Sequence, residues 1–301
     1  MLIAKLKPDT SDGTLEHKAL DEVSPASLRR VVEDLAYPRH YQVNHESNQK
    51  ARDWICEELR SWGYEVTCEG RYDNVIARRR GSCLEPLILL GAHYDTVPTT
   101  PGADDNNSAI AVCLEAAKVL ALHSEAPLMI AVFNCEEDGL LGSRDFVKNL
   151  GTQINDEIAQ AHIFEMVGYY SDAPNSQSKP AGLPVPMPSV GDFIGMLSNA
   201  PSNKIAKQVL AVSKRIGGST PVLSLKTFFG IEKIFGDLLR SDHTPFWEAE
   251  VPALMWTDTS EFRNPNYHAP TDTPDTLNYH AMADVTRMIV AHILVSTGEV
   301  E

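Results

Sequence analysis

The fold of this chain is decided by an apolar run that ends in polar residues, Leu87-Ile-Leu-Leu-Gly-Ala-His93-Tyr-Asp95. An uninterrupted apolar run is typical of a strand buried on both faces, as in parallel sheets. Two further runs, 128–133 and 161–166, have the same character, and stretches with helical spacing separate them. Strands that alternate with helices predict an α/β fold with a mostly parallel central sheet flanked by helices.

The remaining sequence continues this alternation, and we expect a single domain spanning 1–301. The length of 301 residues and the 43% hydrophobic content are typical of a globular α/β domain. Helices are predicted at 47–63, 106–120, from 142 onward, 203–215, 242–248 and 279–296, and further strands at 64–68, 74–78, 222–225 and 252–257.

One long segment, 171–192, interrupts the alternation of strands and helices. Five prolines fall between 174 and 188, and they cannot sustain a helix or a central strand. A loop of this length inside a domain is either an ordered lid or a disordered linker. Apolar Leu183, Val185 and Met187 give the segment a means of packing, so we predict a lid at the active site.

Composition restricts the possible partners. The formal charge of -15 disfavours nucleic acid and anionic membranes, since both would be repelled. No apolar segment approaches the ~18 residues that span a bilayer, and the apolar run after Met1 is too short for a signal peptide. We expect a cytoplasmic protein, or a secreted one if a leader was removed. The five cysteines, with no framework spacing, predict reduced core thiols.

Metal-binding side chains follow the predicted strands at the points where these strands end. They are His93 and Asp95, Glu136 and Glu137, Glu165, and His268, with Asp104 and Asp105 between the first two strands. In open α/β sheets, loops at the carboxyl ends of the strands face one crevice, so we expect these side chains to converge. No His-Glu-x-x-His helix and no pair of Cys-x-x-Cys motifs is present. The fold must therefore assemble the ligands, and the set predicts a two-zinc hydrolase.

The order of the motifs is that of a known family. His-x-Asp, Gly-Ala-Asp-Asp-Asn, Glu-Glu, Glu-Met-Val-Gly, Ser-Asp-His and Tyr-His follow one another in this chain. This order resembles the zinc aminopeptidase family, which includes bacterial leucyl aminopeptidases, the peptidase domain of glutamate carboxypeptidase and the glutaminyl cyclases. The match runs from about Ser47 to the final helix. Glu165 departs from the pattern, because typical members carry aspartate before Met-Val-Gly.

The resemblance assigns a role to each motif residue. It implies that Asp104 bridges two zinc ions, with His93 and Glu165 completing one site and Glu137 and His268 the other. Glu136 is then the general base, and Asp95 orients the ligand imidazole. Asp105 either caps the following helix or supports the ligands. His243 either donates a hydrogen bond to the substrate carbonyl or oxyanion, or supports the loops.

We therefore predict a zinc-dependent exopeptidase, most simply an aminopeptidase that acts on peptides with a free N-terminus. The alternatives are a glutaminyl cyclase with similar residues and a metal-binding protein without catalysis. Trp256, Phe262, Tyr267 and Phe193 are candidates for an apolar pocket around the first side chain. The sequence does not specify the preferred residue, the native metal or the oligomeric state.

Overall fold

A single mixed sheet organises the computed structural model, which describes residues 1–9, 13–79 and 86–300. The strands are β1 Leu2–Leu6, β2 Glu65–Glu69, β3 Asn74–Arg79, β4 Leu87–His93, β5 Leu128–Phe133, β6 Ile158–Glu165, β7 Ile194–Ser198, β8 Val222–Lys226 and β9 Ala253–Thr257. The helices are α1 Lys18–Asp21, α2 Pro25–Leu35, α3 His45–Ser61, α4 Ala109–His123, α5 Leu141–Leu150, α6 Ile154–Glu157, α7 Asn203–Ser213, α8 His243–Glu248 and α9 Tyr279–Ser296.

The strand order is β1-β8-β7-β9-β6-β4-β5-β3-β2. The four central strands β9, β6, β4 and β5 run parallel, and β7 also pairs parallel with β8. Both edges are antiparallel, as is the β7–β9 pair. The α/β class is confirmed, but the sheet is mixed, with parallel pairing concentrated at its centre. Every residue of β4 and β5 is buried, which is the pattern that the apolar runs predicted.

Helices cover both faces of the sheet. One face packs against α2, α3, α4, α7 and α9, and the other packs against α5 and α8. Within the described residues, no helix is long and apolar enough to cross a membrane. Cys56, Cys113 and Cys135 are buried free thiols as predicted, whereas Cys68 is exposed; Cys83 lies outside the described residues.

The predicted elements are present with shifted ends, and some elements were missed. α4 begins at Ala109 rather than at 106, because the backbone of Asp105 and Asn106, just before it, is not helical. α3 begins at His45, two residues before the predicted start. The sequence analysis did not predict β1, α2 or β7.

The proline-rich segment 171–192 is anchored at its base and packed against the sheet. Ser171 and Gly191 form a β-bridge, in which the Ser171 amide donates to the Gly191 carbonyl at 3.0 Å. Leu183 and Val185 are buried in the same apolar cluster as α5 and α8. The segment is therefore an ordered loop over one face of the sheet.

Candidate metal centre

The candidate ligands lie at the carboxyl edge of the parallel strands. His93 is the last residue of β4 and Glu165 the last residue of β6. Glu136 and Glu137 follow β5, and His268 lies in the loop after β9. Glu136, Glu137, Glu165 and His268 line a cleft of about 480 Å³. A volume of this order accommodates a small ligand or part of a peptide.

Asp105 lies between the two histidines. Its Oδ1 is 3.3 Å from His93 Nε2, and its Oδ2 is 3.1 Å from His268 Nε2. The side chain is almost fully buried. Each oxygen of one carboxylate therefore faces a different imidazole, which is the geometry of a carboxylate that can serve two cations.

Two sets of ligand atoms share this aspartate. Each of the sets His93, Asp105, Glu165 and Asp105, Glu137, His268 has its ligand atoms within 4.8 Å of one another. Glu165 Oε1 is 3.5 Å from His93 Nε2, and Glu137 Oε2 is 3.1 Å from His268 Nε2. Glu165, the residue that departs from the family pattern, thus reaches the cluster with its longer side chain.

The bridging position predicted for Asp104 belongs to Asp105, and that prediction is wrong. Asp104 Oδ1 accepts a hydrogen bond from the Gly168 amide at 2.9 Å, and its Oδ2 accepts one from Asn264 Nδ2 at 2.7 Å. These bonds hold Asp104 on the side of its segment away from the histidines, next to Asp258. Burial, and the proximity of Asp104, raise the pKa of Asp258 well above its usual range.

The cluster contains buried polar atoms that lack hydrogen bonds. Within the described chain, both ring nitrogens of His93, Asp105 Oδ1 and Glu137 Oε1 have no hydrogen-bond partner. Leaving such atoms buried and unpaired costs free energy, and crowded carboxylates repel one another. Divalent cations would bind the unpaired atoms and reduce the repulsion between the carboxylates. Imidazole nitrogens and carboxylate oxygens are the donors that zinc takes, so the residues fit zinc.

Glu136 faces the same cluster without belonging to either set. Its Oε2 lies 4.0 Å from His93 Nε2. Burial raises the pKa of Glu136 well above its ordinary value, and the nearby carboxylates of Glu165 and Asp242 add to this rise, while His93 opposes it. A carboxyl with a raised pKa is suited to exchanging a proton with a reacting group near neutral pH.

Asp95 connects the segment that follows β4 with the segment that follows β5. Its two oxygens accept hydrogen bonds from the backbone amides of Glu136 at 3.1 Å and Glu137 at 3.2 Å. Its Oδ1 is also 3.4 Å from His93 Nδ1. Asp95 therefore lies behind the imidazole, as expected, and in addition it orients the Glu136–Glu137 pair.

His243 does not reach the cleft, and its predicted contact with a substrate is wrong. The ring is fully buried, its Nε2 lies 2.9 Å from the Leu238 carbonyl, and it packs edge-on against Trp247. Burial lowers the pKa of His243 to about 4, so the ring is neutral near pH 7. The alternative role, support of the loop that precedes α8, agrees with these contacts.

The sequence analysis missed Ser241, two residues before His243. The Ser241 hydroxyl donates to Glu165 Oε2 at 2.7 Å and fixes one oxygen of that carboxylate. The Ser-Asp-His motif contains this serine, but the motif was interpreted through its histidine alone. Of the four aromatic candidates, Phe262 and Tyr267 line the cleft, whereas Trp256 and Phe193 lie in the core.

The fold and the paired ligand sets define an α/β metallohydrolase, and the sequence comparisons identify its family. Residues 74–293 match Peptidase family M28. The chain is 33% identical over 292 residues to the uncharacterized protein YfbL of Escherichia coli, covering 89% of this chain and 87% of YfbL. The chain therefore belongs to peptidase family M28. Family membership makes it a hydrolase that acts on peptides. A relative from Pyrenophora tritici-repentis, 24% identical over 309 residues, is named a probable zinc metalloprotease.

Relatives with named activities are more distant. The chain is 28% identical to aminopeptidase YwaD of Bacillus subtilis, covering 69% of this chain but only 40% of YwaD. An aminopeptidase from Aneurinibacillus superposes with a TM-score of 0.71 at 16% identity, covering 92% of this chain and 95% of that one. A glutaminyl cyclase from Macrostomum lignano superposes with a TM-score of 0.70 at 16% identity, covering 97% and 96%. At such identities the superpositions show a common fold only.

Proposed function

We propose that this protein is an aminopeptidase that holds two zinc ions, bridged by Asp105, and removes the N-terminal residue from peptides. The observation that carries the proposal is the sharing of Asp105 by two ligand sets, with Glu136 beside them in an accessible cleft. His93 and Glu165 would complete one site, and Glu137 and His268 the other. Zinc supplies Lewis acidity toward a carbonyl and lowers the pKa of water.

The chain's own residues provide the remaining chemistry. Glu136 accepts the proton from the attacking water and returns it to the leaving amine. Asp95 keeps Glu136 in place through the backbone amide at 3.1 Å. Ser241 holds Glu165 in one orientation through its hydroxyl.

The floor of the cleft supports a preference for large apolar side chains. Glu165, Thr257, Gly195 and Leu223 are register partners on the adjacent strands β6, β9, β7 and β8. They form one row on the cleft face of the sheet, and all four line the cleft. Three strand spacings place Leu223 about 14 Å from Glu165. The missing side chain at Gly195 leaves a trough along this row.

Apolar residues surround the trough. Met255, Leu197 and Leu225 form the neighbouring row of register partners on the same face. Leu183 and Met187 of the proline-rich segment also line the cleft. The segment is proposed to act as the lid of this trough. An apolar first side chain would gain from burial against these residues.

The alternative activity is cyclisation of N-terminal glutamine, since a glutaminyl cyclase shares the fold. Both reactions activate a carbonyl and transfer a proton from the nucleophile to the leaving group, but only hydrolysis uses water as the nucleophile. Two ligand sets that share Asp105 support hydrolysis, because a second cation would hold that water.

The experiment that tests this proposal gives the zinc-loaded protein leucyl-p-nitroanilide and a glutaminyl peptide under identical conditions. We expect release of p-nitroaniline and of free glutamine, without pyroglutamate. Rapid pyroglutamate and ammonia formation with no anilide cleavage would assign the protein as a cyclase. Two bound zinc ions with neither activity would favour a metal-binding protein without catalysis.

A further inference from the structure

Arg39, in the connection between α2 and α3, is a buried cation bonded to backbone carbonyls. The residue has no exposed surface. Its Nε donates to the Tyr94 carbonyl at 2.5 Å, and its Nη1 donates to the carbonyls of Leu35 at 2.9 Å, Tyr37 at 3.1 Å and Pro101 at 2.9 Å. Burial lowers the pKa of Arg39 to about 10, so the guanidinium stays charged near pH 7.

Two of these carbonyls, those of Tyr94 and Pro101, belong to the segments that carry His93 and Asp105. Tyr94 stands between His93 and Asp95, and Pro101 lies four residues before Asp105. The Arg39 Nη2 also donates to the Gly102 carbonyl, at 3.5 Å. Gly102 has a φ of +68°, and a Cβ there would meet Arg39 Nη2 at 3.0 Å. The glycine thus both permits the turn and leaves room for the guanidinium.

The backbone of Arg39 extends the same network to the third ligand segment. Its amide donates to Thr96 Oγ1 at 3.0 Å, and its carbonyl accepts from Asn48 Nδ2 at 2.8 Å. Asn48 in turn exchanges two hydrogen bonds with Asn134, at 3.0 and 3.1 Å. Asn134 lies two residues before Glu136.

We propose that Arg39 is a positioning residue that fixes the segment of His93 against the segment of Asp105, and thereby sets the affinity for the shared cations. A planar guanidinium can bond several carbonyls in fixed directions, whereas a lysine ammonium on a flexible stem cannot. Arg39 touches no ligand side chain and acts through the backbone. The inference rests on the proposed two-cation site.

The test is zinc titration of the metal-free protein, with Arg39→Lys compared to wild type. Arg287→Lys is the control, because the Arg287 guanidinium also bonds backbone carbonyls, those of Leu20 and Val23, and these lie on no ligand segment. We expect Arg39→Lys to lose about 10- to 100-fold in zinc affinity, the usual effect of removing a group that orients metal ligands. The cobalt-substituted protein should also show a changed absorption spectrum. The control should keep both the affinity and the spectrum.

The outcomes separate the inference from the proposed function. Two zinc ions bound by Arg39→Lys with wild-type affinity and an unchanged cobalt spectrum would overturn the positioning role, whatever happens to thermal stability. Failure of the wild-type protein to bind two zinc ions would instead refute the two-cation site. If Arg39→Lys does not fold, Thr96→Val is the second variant, because it removes the hydrogen bond that the Arg39 backbone amide donates to Thr96 Oγ1. The zinc affinity of Thr96→Val should fall by a smaller factor. An unchanged affinity would count against the inference.

Discussion

At the scale of single residues, the chemistry depends on which of two adjacent aspartates faces the histidines. Asp105 contacts His93 and His268, while Asp104 is held by the Gly168 amide and Asn264. The sequence predicted the composition of the cluster, because its members end or follow buried strands. It could not choose between neighbours, since the choice depends on the non-helical backbone at Asp105 and Asn106, which the sequence pattern does not predict.

Substitution of each aspartate separates these roles. Asp105→Asn should lose most bound zinc, because an amide offers one neutral oxygen where two cations need a shared carboxylate. Asp104→Asn should retain both ions, with a lower melting temperature from the altered Asn264 contact. Metal analysis after exhaustive dialysis distinguishes them. The assignment fails if Asp104→Asn loses zinc and Asp105→Asn keeps it.

Glu136 should matter for turnover and not for metal content. Glu136→Gln keeps the shape of the side chain but cannot accept a proton, so kcat should fall by about two to four powers of ten. The zinc content should match wild type, because Glu136 belongs to neither ligand set. Near-normal turnover in this variant would exclude Glu136 as the base.

Two buried histidines should make stability depend on pH. His162 and His292 have ring centroids 5.1 Å apart. Burial lowers the pKa of His292 to about 4, and burial together with the nearby His292 lowers the pKa of His162 well below its usual value. In the unfolded chain these two histidines bind protons near pH 6.5, whereas in the folded chain they stay neutral. The free energy of unfolding is therefore retained above pH 6.5 and decreases as the pH falls toward 4.

His292→Gln should reduce this dependence. The histidine accounts for about 3 kcal/mol of the loss between pH 6.5 and 4, from a pKa difference of about 2.5 units. Urea unfolding of both proteins across this range measures the slope of stability against pH. Equal slopes for the variant and wild type would show that His292 does not remain neutral in the folded state.

At the scale of elements, the central strands were predictable because burial on both faces leaves an unbroken apolar run. β7 was not, since it has five residues, contains Gly195 and directly follows the proline-rich segment. The sequence does contain signals for α2. The Ser24 side chain caps this helix, and proline occupies its first turn. Apolar residues have helical spacing along it, namely Leu28, Val31, Val32 and Leu35. Because β7 was not predicted from the sequence, the trough, whose floor includes this strand, was not predicted either.

The trough predicts a dependence of rate on side-chain length. Each methylene buried should raise kcat/KM about fourfold, from about 0.8 kcal/mol per group. Leu223→Trp should remove the gain for 2-aminooctanoyl anilide and leave alanyl anilide within about twofold, because Leu223 lies at the far end of the row. Leu223→Ala is the complementary variant and should favour the longest chain. If kcat/KM of the wild-type protein did not depend on the length of the first side chain, the trough would have no role in substrate selection.

At the scale of the whole molecule, the mixed sheet brings candidate ligands from five separated segments to one edge. Part of the formal charge of -15 lies at this edge, where five carboxylates lie near two imidazoles. Bound cations would neutralise this local charge. The cytoplasmic location and the exclusion of nucleic acid remain predictions from composition.

The central claim is a pair of zinc ions on either side of Asp105. Anomalous diffraction at the zinc edge from crystals of the zinc-loaded protein tests it most directly. We expect two peaks, one contacted by His93 and Glu165, the other by Glu137 and His268, with Asp105 contacting both. A single peak, or a bridging contact from Asp104 in place of Asp105, would contradict the account.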